Sequence, residues 1–137
     1  MRYLGIDYGH KRIGIALSDE EGWIAFPMAQ FSGVVFLRVV REIQKVVKKE
    51  KIGKIIIGLP ITFGGKESLQ ARETREFGQK LHNLVQLPIE YENEILSTKM
   101  AERGGTAKQK IDSSAAAIIL QSYLDKLPTN KSRIIHE

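Results

Sequence analysis

The chain has 137 residues, which is enough for one domain of ordinary size and leaves little room for a second. Hydrophobic residues make up 42% and charged residues 27%, which excludes a disordered or fibrous chain. The absence of cysteine excludes a disulfide framework, a zinc–thiolate site and a thiol nucleophile. The net charge of +5 favours a polyanionic partner, and nucleic acid is the commonest large polyanion.

The opening residues, 1–7, contain no basic stretch followed by a long apolar run, which is the pattern of a secretory signal. Further along the chain, no apolar run approaches the ~20 residues that a membrane-spanning helix needs. We therefore expect a cytoplasmic protein that makes no contact with a membrane.

Three short strands are predicted at the start of the chain. Residues 2–7 are an apolar run that ends in an acid, and residues 12–18 place apolar side chains at alternate positions, which is typical of a strand. Residues 23–29 predict a third strand, and Pro27 places it at the edge of a sheet because proline cannot donate to a neighbouring strand. Turn-forming residues separate these strands, so we expect an antiparallel meander.

Helices and strands alternate along the rest of the chain. The patterns predict, in order, a helix over 34–51, a buried strand over 54–58, a helix over 68–85, a strand from Pro88 to about Glu92, a short helix near 97–103, a polar basic loop over 106–111, a helix over 112–127 and a loose tail over 129–137. Strand–helix–strand connections imply parallel pairing. We expect a single α/β domain over 1–137, with a mixed five-stranded sheet whose first three strands are antiparallel and with helices on both faces.

Three acidic residues, Asp7, Glu94 and Asp112, stand at the ends of predicted elements. Asp7 and Glu94 fit the rule that binding sites form beyond the carboxyl ends of strands. Carboxylates suit Mg²⁺ or Mn²⁺, which prefer oxygen ligands and assist phosphodiester cleavage. Taken singly, the three residues have simpler interpretations: Asp7 as a turn residue, Glu94 as a solvated acid and Asp112 as the N-cap of the last helix.

A fourth acid, Asp19, ends the second predicted strand. Seven residues at about 3.3 Å each put it ~20 Å from the turn beside Asp7. We interpret Asp19 as a hairpin-turn residue and not as part of the same site. The three histidines, His10, His82 and His136, show no metal-ligand spacing.

The opening of the chain resembles the YqgF family over residues 5–19, which read GIDYGHKRIGIALSD. Three further stretches resemble the family in the same order. They are IGLP at 57–60 followed by GGKES at 64–68, NEILST at 93–98, and a last-helix stretch with ID at 111–112, AA at 115–116 and IILQSYL at 118–124. The matches cover nearly the whole chain, and together they are specific, although each alone is weak.

Proteins of the YqgF family are described as Holliday junction resolvases and as nucleases that mature the 5′ end of pre-16S ribosomal RNA. The resemblance implies an RNase H-like fold, hydrolysis of phosphodiester bonds and an acidic site for Mg²⁺ or Mn²⁺. It assigns Asp7, Glu94 and Asp112 as the catalytic and metal-binding residues, and it implies that Arg12 contacts a phosphate of the substrate. The expected partner is structured RNA such as pre-rRNA, or branched DNA, and the protein is expected to be a monomer or a homodimer.

One stretch departs from the family pattern. Where the family has Asp-Glu-Arg, this chain has Asn93, Glu94 and Ile95. The first change removes a negative charge beside the expected site, and the second removes a guanidinium that could bind phosphate through two hydrogen bonds. Activity is weakened if that arginine takes part in catalysis, and it is little affected if the arginine only braces the loop.

Basic residues surround the expected site in loops and at element ends. They are Lys11, Arg12, Lys66, Lys99, Arg103, Lys108 and Lys110. Contacts from such residues to phosphates give affinity without reading the base sequence. The lysines of the helix over 34–51, namely Lys45, Lys48 and Lys49, are interpreted instead as a solvated face.

Two other functions are kept as alternatives. The first is a nucleic-acid-binding module without catalysis, which the replacements at Asn93 and Ile95 motivate. The second is a nucleotide phosphotransferase, because GIDYG at 5–9 also looks like the first phosphate loop of sugar kinases and actin-like ATPases. Those enzymes use two such domains, and a chain of 137 residues holds only one.

Overall fold

Strands and helices follow one another along the chain largely as the sequence predicts. The computed structural model describes residues 1–33, 35–60, 67–93 and 108–130, and for 108–114 it describes the backbone alone. The elements are β1 (Arg2–Tyr8), β2 (Arg12–Ser18), β3 (Ala25–Ser32), α1 (Phe36–Glu50), β4 (Ile52–Leu59), α2 (Leu69–Val85), β5 (Ile89–Asn93) and α3 (Lys108–Asp125). No helix within these described ranges is long and apolar enough to cross a lipid bilayer.

The five strands form one sheet in the order β3-β2-β1-β4-β5. β1 pairs antiparallel with β2, and β2 pairs antiparallel with β3, while β4 lies parallel to both β1 and β5. The predicted mixed sheet, its antiparallel start and the edge position of the strand that contains Pro27 are confirmed. Because β1, β4 and β5 run in the same direction, their carboxyl ends meet at one end of the sheet, which we term the carboxyl edge.

Helices cover both faces of the sheet, as predicted. The β-branched run of β4 explains how one strand serves two cores. Ile55 and Ile57 belong to the core beneath α1 and α2, whereas Ile56 points the other way into the core beneath α3. All three side chains are fully buried, and each burial stabilises the fold by about 2 kcal/mol.

Two glycines allow α3 to approach the sheet closely. A Cβ atom on Gly5 of β1 would lie 2.7 Å from Leu120 Cβ and 3.0 Å from the carbonyl oxygen of Ala116. A Cβ atom on Gly58 of β4 would lie 2.5 Å from Ile119 Cδ1. Carbon atoms that are not bonded pack at about 3.5–4.0 Å, so larger residues at these positions would push the helix outward.

The helix α3 begins earlier than the sequence predicts. Its first residue is Lys108, so the loop predicted over 106–111 is wrong from 108 onward, and 106–107 lie outside the described residues. Asp112 is the fifth residue of the helix, and its interpretation as the N-cap is therefore wrong. Lysine and glutamine at 108–110 are good helix formers, so no local signal stops the helix from extending to Lys108.

The third strand is also displaced from its predicted range of 23–29. It runs over Ala25–Ser32 because it pairs with β2 along its whole length, from Ser18 to Arg12. Strand pairing with a distant partner thus outweighs the local pattern that sets the prediction. The short helix predicted near 97–103 lies outside the described residues.

The segment after α3 is anchored to the turn between β2 and β3. Asn130 is buried, and its Nδ2 donates to the carbonyl oxygen of Gly22 at 3.0 Å and to that of Leu124 at 2.7 Å. The loose tail predicted over 129–137 is therefore wrong at Asn130. Residues 131–137 lie outside the described part of the chain.

Candidate active site

Asp7 lies at the carboxyl edge, one residue before the end of β1. Its backbone pairs with Gly14 of β2, and its side chain is half-buried. Alternate residues of a strand share a face, so Asp7 lies on the same face as Gly5, which is the face that α3 covers. The first predicted acid is thus on the sheet face that packs against the helix containing Asp112.

α3 runs antiparallel to β1 across this face. Near the beginning of β1, the ring of Tyr3 contacts the ring of Tyr123, with 5.9 Å between the centroids. Two residues further along β1, Gly5 lies against Leu120 and the carbonyl oxygen of Ala116. Advancing along the strand therefore corresponds to going back along the helix towards its first residue.

This antiparallel packing places residue 112 level with Asp7. Two strand residues advance the chain by about 6.6 Å, and one helical turn covers about 5.4 Å. The step from Gly5 to Asp7 thus matches the turn from Ala116 back to residue 112. Residue 112 and Asp7 therefore lie at a similar height along the sheet, while the Asp112 side chain lies outside the described residues.

The third predicted acid, Glu94, lies outside the described residues, directly after the end of β5. The last residue of β5, Asn93, pairs with Leu59 at the end of β4. The chain therefore leaves β5 at the same edge as Asp7. Asp7 lies within β1, residue 112 lies within α3 and Glu94 follows β5. The roles of Asp7, Glu94 and Asp112 stay predictions.

A buried glutamate that the sequence does not single out lies on the α3 face of β5. Glu92 pairs with Gly58 and is only 7% exposed. Its Oε1 accepts hydrogen bonds from Lys126 Nζ at 2.8 Å and from the Asn93 backbone N–H at 3.1 Å, whereas its Oε2 has no hydrogen-bond partner among the described residues. A buried carboxylate oxygen without a partner is unfavourable, so an additional donor or a cation would be stabilised there.

A second glutamate, Glu90, lies two residues earlier on the same face. The hydroxyl of Tyr123 donates to Glu90 Oε2, and Lys54 Nζ lies 3.6 Å from Glu90 Oε1. Burial, followed by the neighbouring Glu90 carboxylate, raises the pKa of Tyr123, so the phenol remains a donor at neutral pH. The glutamates at 90, 92 and 94 occupy alternate positions, and that spacing is the sequence signal that could have found them.

The turn between β1 and β2 presents polar side chains next to the carboxyl edge. The Gly9 N–H donates to the carbonyl oxygen of Arg12 at 3.0 Å and closes the turn. His10 Nε2 lies 2.8 Å from Glu73 Oε2, which ties the turn to α2. Lys11 and Arg12 are exposed, so a phosphate at this edge would meet cationic side chains.

Arg12 also shares a sheet face with Asp7. Gly14 pairs with Asp7, and Arg12 lies two residues from Gly14 on the same strand, so alternation puts both on the α3 face. Of the predicted phosphate-binding residues, the structure brings Lys11 and Arg12 to the carboxyl edge. Lys108 and Lys110 lie in the first turn of α3, where only the backbone is described, and Lys66, Lys99 and Arg103 lie outside the described residues.

The carboxylates at the carboxyl edge have the donor chemistry of a site for a hard divalent cation. Mg²⁺ and Mn²⁺ prefer oxygen ligands, and buried Glu92 holds a carboxylate oxygen without a partner in the described part of the chain. The described residues alone contain no group of three potential metal ligands. A site made by Asp7, Glu94 and Asp112 therefore depends on two side chains outside the described residues.

Asp19 lies in the turn between β2 and β3, at the opposite end of β2 from Arg12. Its Oδ1 accepts hydrogen bonds from the backbone N–H groups of Trp23 at 2.7 Å and Ile24 at 3.0 Å. Burial acts to raise the pKa of this carboxyl, but the backbone donors outweigh burial and hold the pKa below its usual value. The interpretation of Asp19 as a turn residue is confirmed.

We expect Asp19→Ala to lower the free energy of unfolding by about 1 kcal/mol at neutral pH, because two backbone N–H groups lose their acceptor. The pKa of Asp19 is lower in the folded than in the unfolded chain. Its stabilisation is therefore complete above the unfolded pKa and disappears as the pH falls through the folded value. Urea unfolding at neutral pH and in strong acid measures the difference, and a destabilisation that persists in acid would contradict this role.

The order and packing of these elements match those of solved Holliday junction resolvases. RuvC from Thermus thermophilus superposes with a TM-score of 0.58 at 13% sequence identity, over 91% of this chain and 95% of that chain. The fowlpox virus Holliday junction resolvase superposes with a TM-score of 0.54 at 12% identity, over 93% of this chain and 100% of that chain. At such identities the likeness concerns the fold alone, and it confirms the predicted RNase H-like fold. The fold therefore defines the class as RNase H-like.

Sequence relatives narrow this class to one family. A protein of Caldanaerobacter subterraneus named "Putative pre-16S rRNA nuclease" is 38% identical over 134 residues, which cover 91% of this chain and 96% of the relative. A protein of the same name from a Sulfurihydrogenibium species is 41% identical over 134 residues, which cover 92% of this chain and 91% of the relative. The family model described as "RuvX: Holliday junction resolvase" matches residues 1–126. The chain belongs to the RuvX family, and the resemblance to YqgF proteins is confirmed.

Proposed function

We propose that this chain is a metal-dependent nuclease that hydrolyses phosphodiester bonds at the carboxyl edge of its sheet. The observation that carries the proposal is the packing of α3 on β1, which brings the backbone of residue 112 level with Asp7. Membership of the RuvX family supports the same activity, because the family is described as a resolvase and its relatives are named as nucleases.

In this proposal, Asp7, Glu94 and Asp112 are the catalytic and metal-binding residues, and Mg²⁺ or Mn²⁺ is the cofactor. A bound divalent ion supplies an activated water and stabilises charge on the leaving oxygen. The pairing of β1 with β2 fixes the backbone of Asp7 at the carboxyl edge before the substrate arrives. Lys11 and Arg12 bind a backbone phosphate and hold the strand to be cut over the carboxyl edge.

The proposed substrate is pre-16S ribosomal RNA, cut near its 5′ end, and the proposed location is the cytoplasm. Support comes from relatives of nearly equal length that carry this activity in their names at 38% and 41% identity. Structured RNA is therefore the first candidate partner. Proteins recognise structured RNA largely through contacts to its sugar–phosphate backbone, and the exposed cations at the carboxyl edge can make such contacts.

Branched DNA is the second candidate substrate. RuvC from Thermus thermophilus, solved in complex with a Holliday junction substrate, superposes with a TM-score of 0.59 at 11% identity. The description of the family model is also that of a resolvase. A resolvase that cuts a two-fold junction would act as a homodimer, whereas RNA cleavage requires only a monomer.

The test offers the purified protein an end-labelled RNA that spans the 5′ end of the 16S sequence and a four-way DNA junction, each with Mg²⁺, Mn²⁺ or EDTA. Metal-dependent cutting of the RNA supports the proposal, and cutting of the junction alone supports the second candidate. Retarded bands without cutting would overturn the nuclease and identify a binding module.

In that case the double variant Asn93→Asp/Ile95→Arg, which restores the family residues, tests whether the two replacements removed the activity. Binding of ATP by calorimetry would instead favour a phosphotransferase.

A further inference from the structure

The exposed side of α1 carries a dense row of cations. Arg38, Arg41, Lys45, Lys48 and Lys49 are all exposed, and we term them the α1 basic face. With 3.6 residues per turn, the five positions fall within an arc of about 100°, opposite the buried residues of the helix. α1 holds five cations and two carboxylates, so this one helix carries +3 of the net +5 of the whole chain.

Few of these charges are neutralised within the protein. Lys45 Nζ lies 3.2 Å from Glu42 Oε1, but both side chains are exposed and such pairs are weak. The other carboxylate of the helix, Glu50, pairs instead with Arg2 Nη1 at 2.6 Å. Arg41 and Lys48 have no ionic partner in the described part of the chain, so the face keeps its positive charge.

The α1 basic face begins beside the carboxyl edge and leads away from it. At the end of β3, Ser32 pairs with Arg12, and the Gly33 N–H donates to the carbonyl oxygen of Lys11 at 3.2 Å. A groove of about 300 Å³ between the end of β3 and the beginning of α1 extends to Arg38. The last turn of α1 lies beside the start of β1, at the other end of the sheet. The α1 basic face therefore extends from the carboxyl edge towards the other end of the sheet, on the face opposite to that of Asp7.

We propose that the α1 basic face binds the phosphate backbone of a double-helical arm of the substrate RNA, next to the segment that is cut; this inference rests on the proposed nuclease function. The five cations span about 16 Å of helix, which matches a short row of phosphates. Proteins that bind single strands stack bases on aromatic side chains. The exposed residues of α1 include no aromatic side chain, so the face suits a duplex whose bases are stacked inside.

The position of α1 also sets a minimum size for the substrate. α1 covers the sheet face opposite to that of Asp7, so a bound arm must pass around the turn that contains Lys11 and Arg12. A short oligonucleotide at the carboxyl edge cannot reach the far end of the α1 basic face. The preferred substrate is thus an RNA in which a duplex arm adjoins the cut.

The test compares two double variants that each remove two exposed cations. Arg41→Gln/Lys48→Gln acts on the α1 basic face, and Arg72→Gln/Lys80→Gln acts on α2, where carboxylates are interspersed with the cations. Binding of a fluorescent RNA duplex of about 20 base pairs is followed by anisotropy in EDTA, so that no cutting is required. Each lost phosphate contact removes about 0.9 from the slope of log Kd against log salt. We expect the α1 variant to lose about 2 from this slope and to bind about tenfold more weakly at about 0.1 M salt, while the α2 variant changes neither.

An equal loss in both double variants would overturn the inference, since it would show a general effect of net charge. If the slope of log Kd against log salt is unchanged in the α1 variant, the helix is only a solvated face, as the sequence predicts for Lys45, Lys48 and Lys49. Thermal melts of both variants establish that they are folded, as expected for exposed positions. The two proposals can fail separately. If the unchanged protein cuts no substrate and the α1 variant still has the lower salt slope, only the nuclease is refuted. If the unchanged protein cuts RNA and the slope of the α1 variant is unchanged, only the duplex contact is refuted.

Discussion

Replacement of Asp7 by asparagine is expected to reduce metal-dependent cleavage by about 1,000-fold, because the carboxylate charge that holds a divalent ion is worth several kcal/mol in the transition state. Asparagine has nearly the same shape, and the backbone pairing of Asp7 with Gly14 does not depend on the side chain. The melting temperature should therefore be unchanged. Single-turnover cleavage with saturating protein measures the effect on rate, and anisotropy in EDTA should show that RNA binding is retained.

The matched control is Asp19→Asn. Asp19 also lies near the end of a strand, directly after β2, and is also partly exposed, but it is ~20 Å from the carboxyl edge. Cleavage by this variant should stay within about twofold of that of the unchanged protein, since general charge effects at such a distance are screened. Full activity in Asp7→Asn would remove Asp7 from the proposed site, and an equal loss in both variants would indicate a change in overall charge.

Substitution of Gly5 by alanine is expected to lower the free energy of unfolding by about 1–3 kcal/mol, because the added Cβ overpacks a filled interface. That Cβ would lie 2.7 Å from Leu120 Cβ and 3.0 Å from the Ala116 carbonyl oxygen, and neither atom can rotate away. The helix must therefore move outward and take residue 112 with it. A displacement of about 1 Å at a catalytic group costs about 100-fold in rate, so cleavage should fall by a similar factor.

The matched control for this substitution is Gly53→Ala in β4. A Cβ there would lie 2.7 Å from Met1 Cγ, but Met1 is 65% exposed and its flexible side chain can swing into solvent. Urea unfolding and single-turnover cleavage should both stay close to those of the unchanged protein. If Gly5→Ala is as stable and as active as Gly53→Ala, α3 does not set the position of residue 112 in the way proposed.

Much of the fold is predictable because its signals are local. The alternation of apolar residues in β2 predicts that strand to the residue, and Pro27 predicts the edge of the sheet. The errors arise where distant residues decide the outcome. β3 extends to Ser32 because Arg12 offers a partner, and Asn130 is buried because the Gly22 carbonyl accepts its hydrogen bond from 108 residues away.

The candidate site is predictable only in part. The position of Asp7 follows from a strand that ends in an acid, but its connection with Glu94 and Asp112 comes from the family resemblance. Spacing alone cannot reveal it, because the three residues belong to different parts of the chain, in β1, after β5 and in α3. Glu92 escapes prediction for a related reason: a glutamate in a strand is ordinarily solvated, and the burial of this one depends on Lys126, which follows α3.

The late position of α3 in the chain has a consequence for the timing of activity. All five strands precede this helix, and Ala16 and Ile56 on the face that it covers lack their packing partners until α3 has been synthesised. During translation the half-formed sheet therefore presents an apolar surface to the cell, and such surfaces invite association or chaperone binding. Residue 112 can reach Asp7 only after this helix has docked. A growing chain in which α3 has not yet docked thus carries no assembled site of the proposed kind.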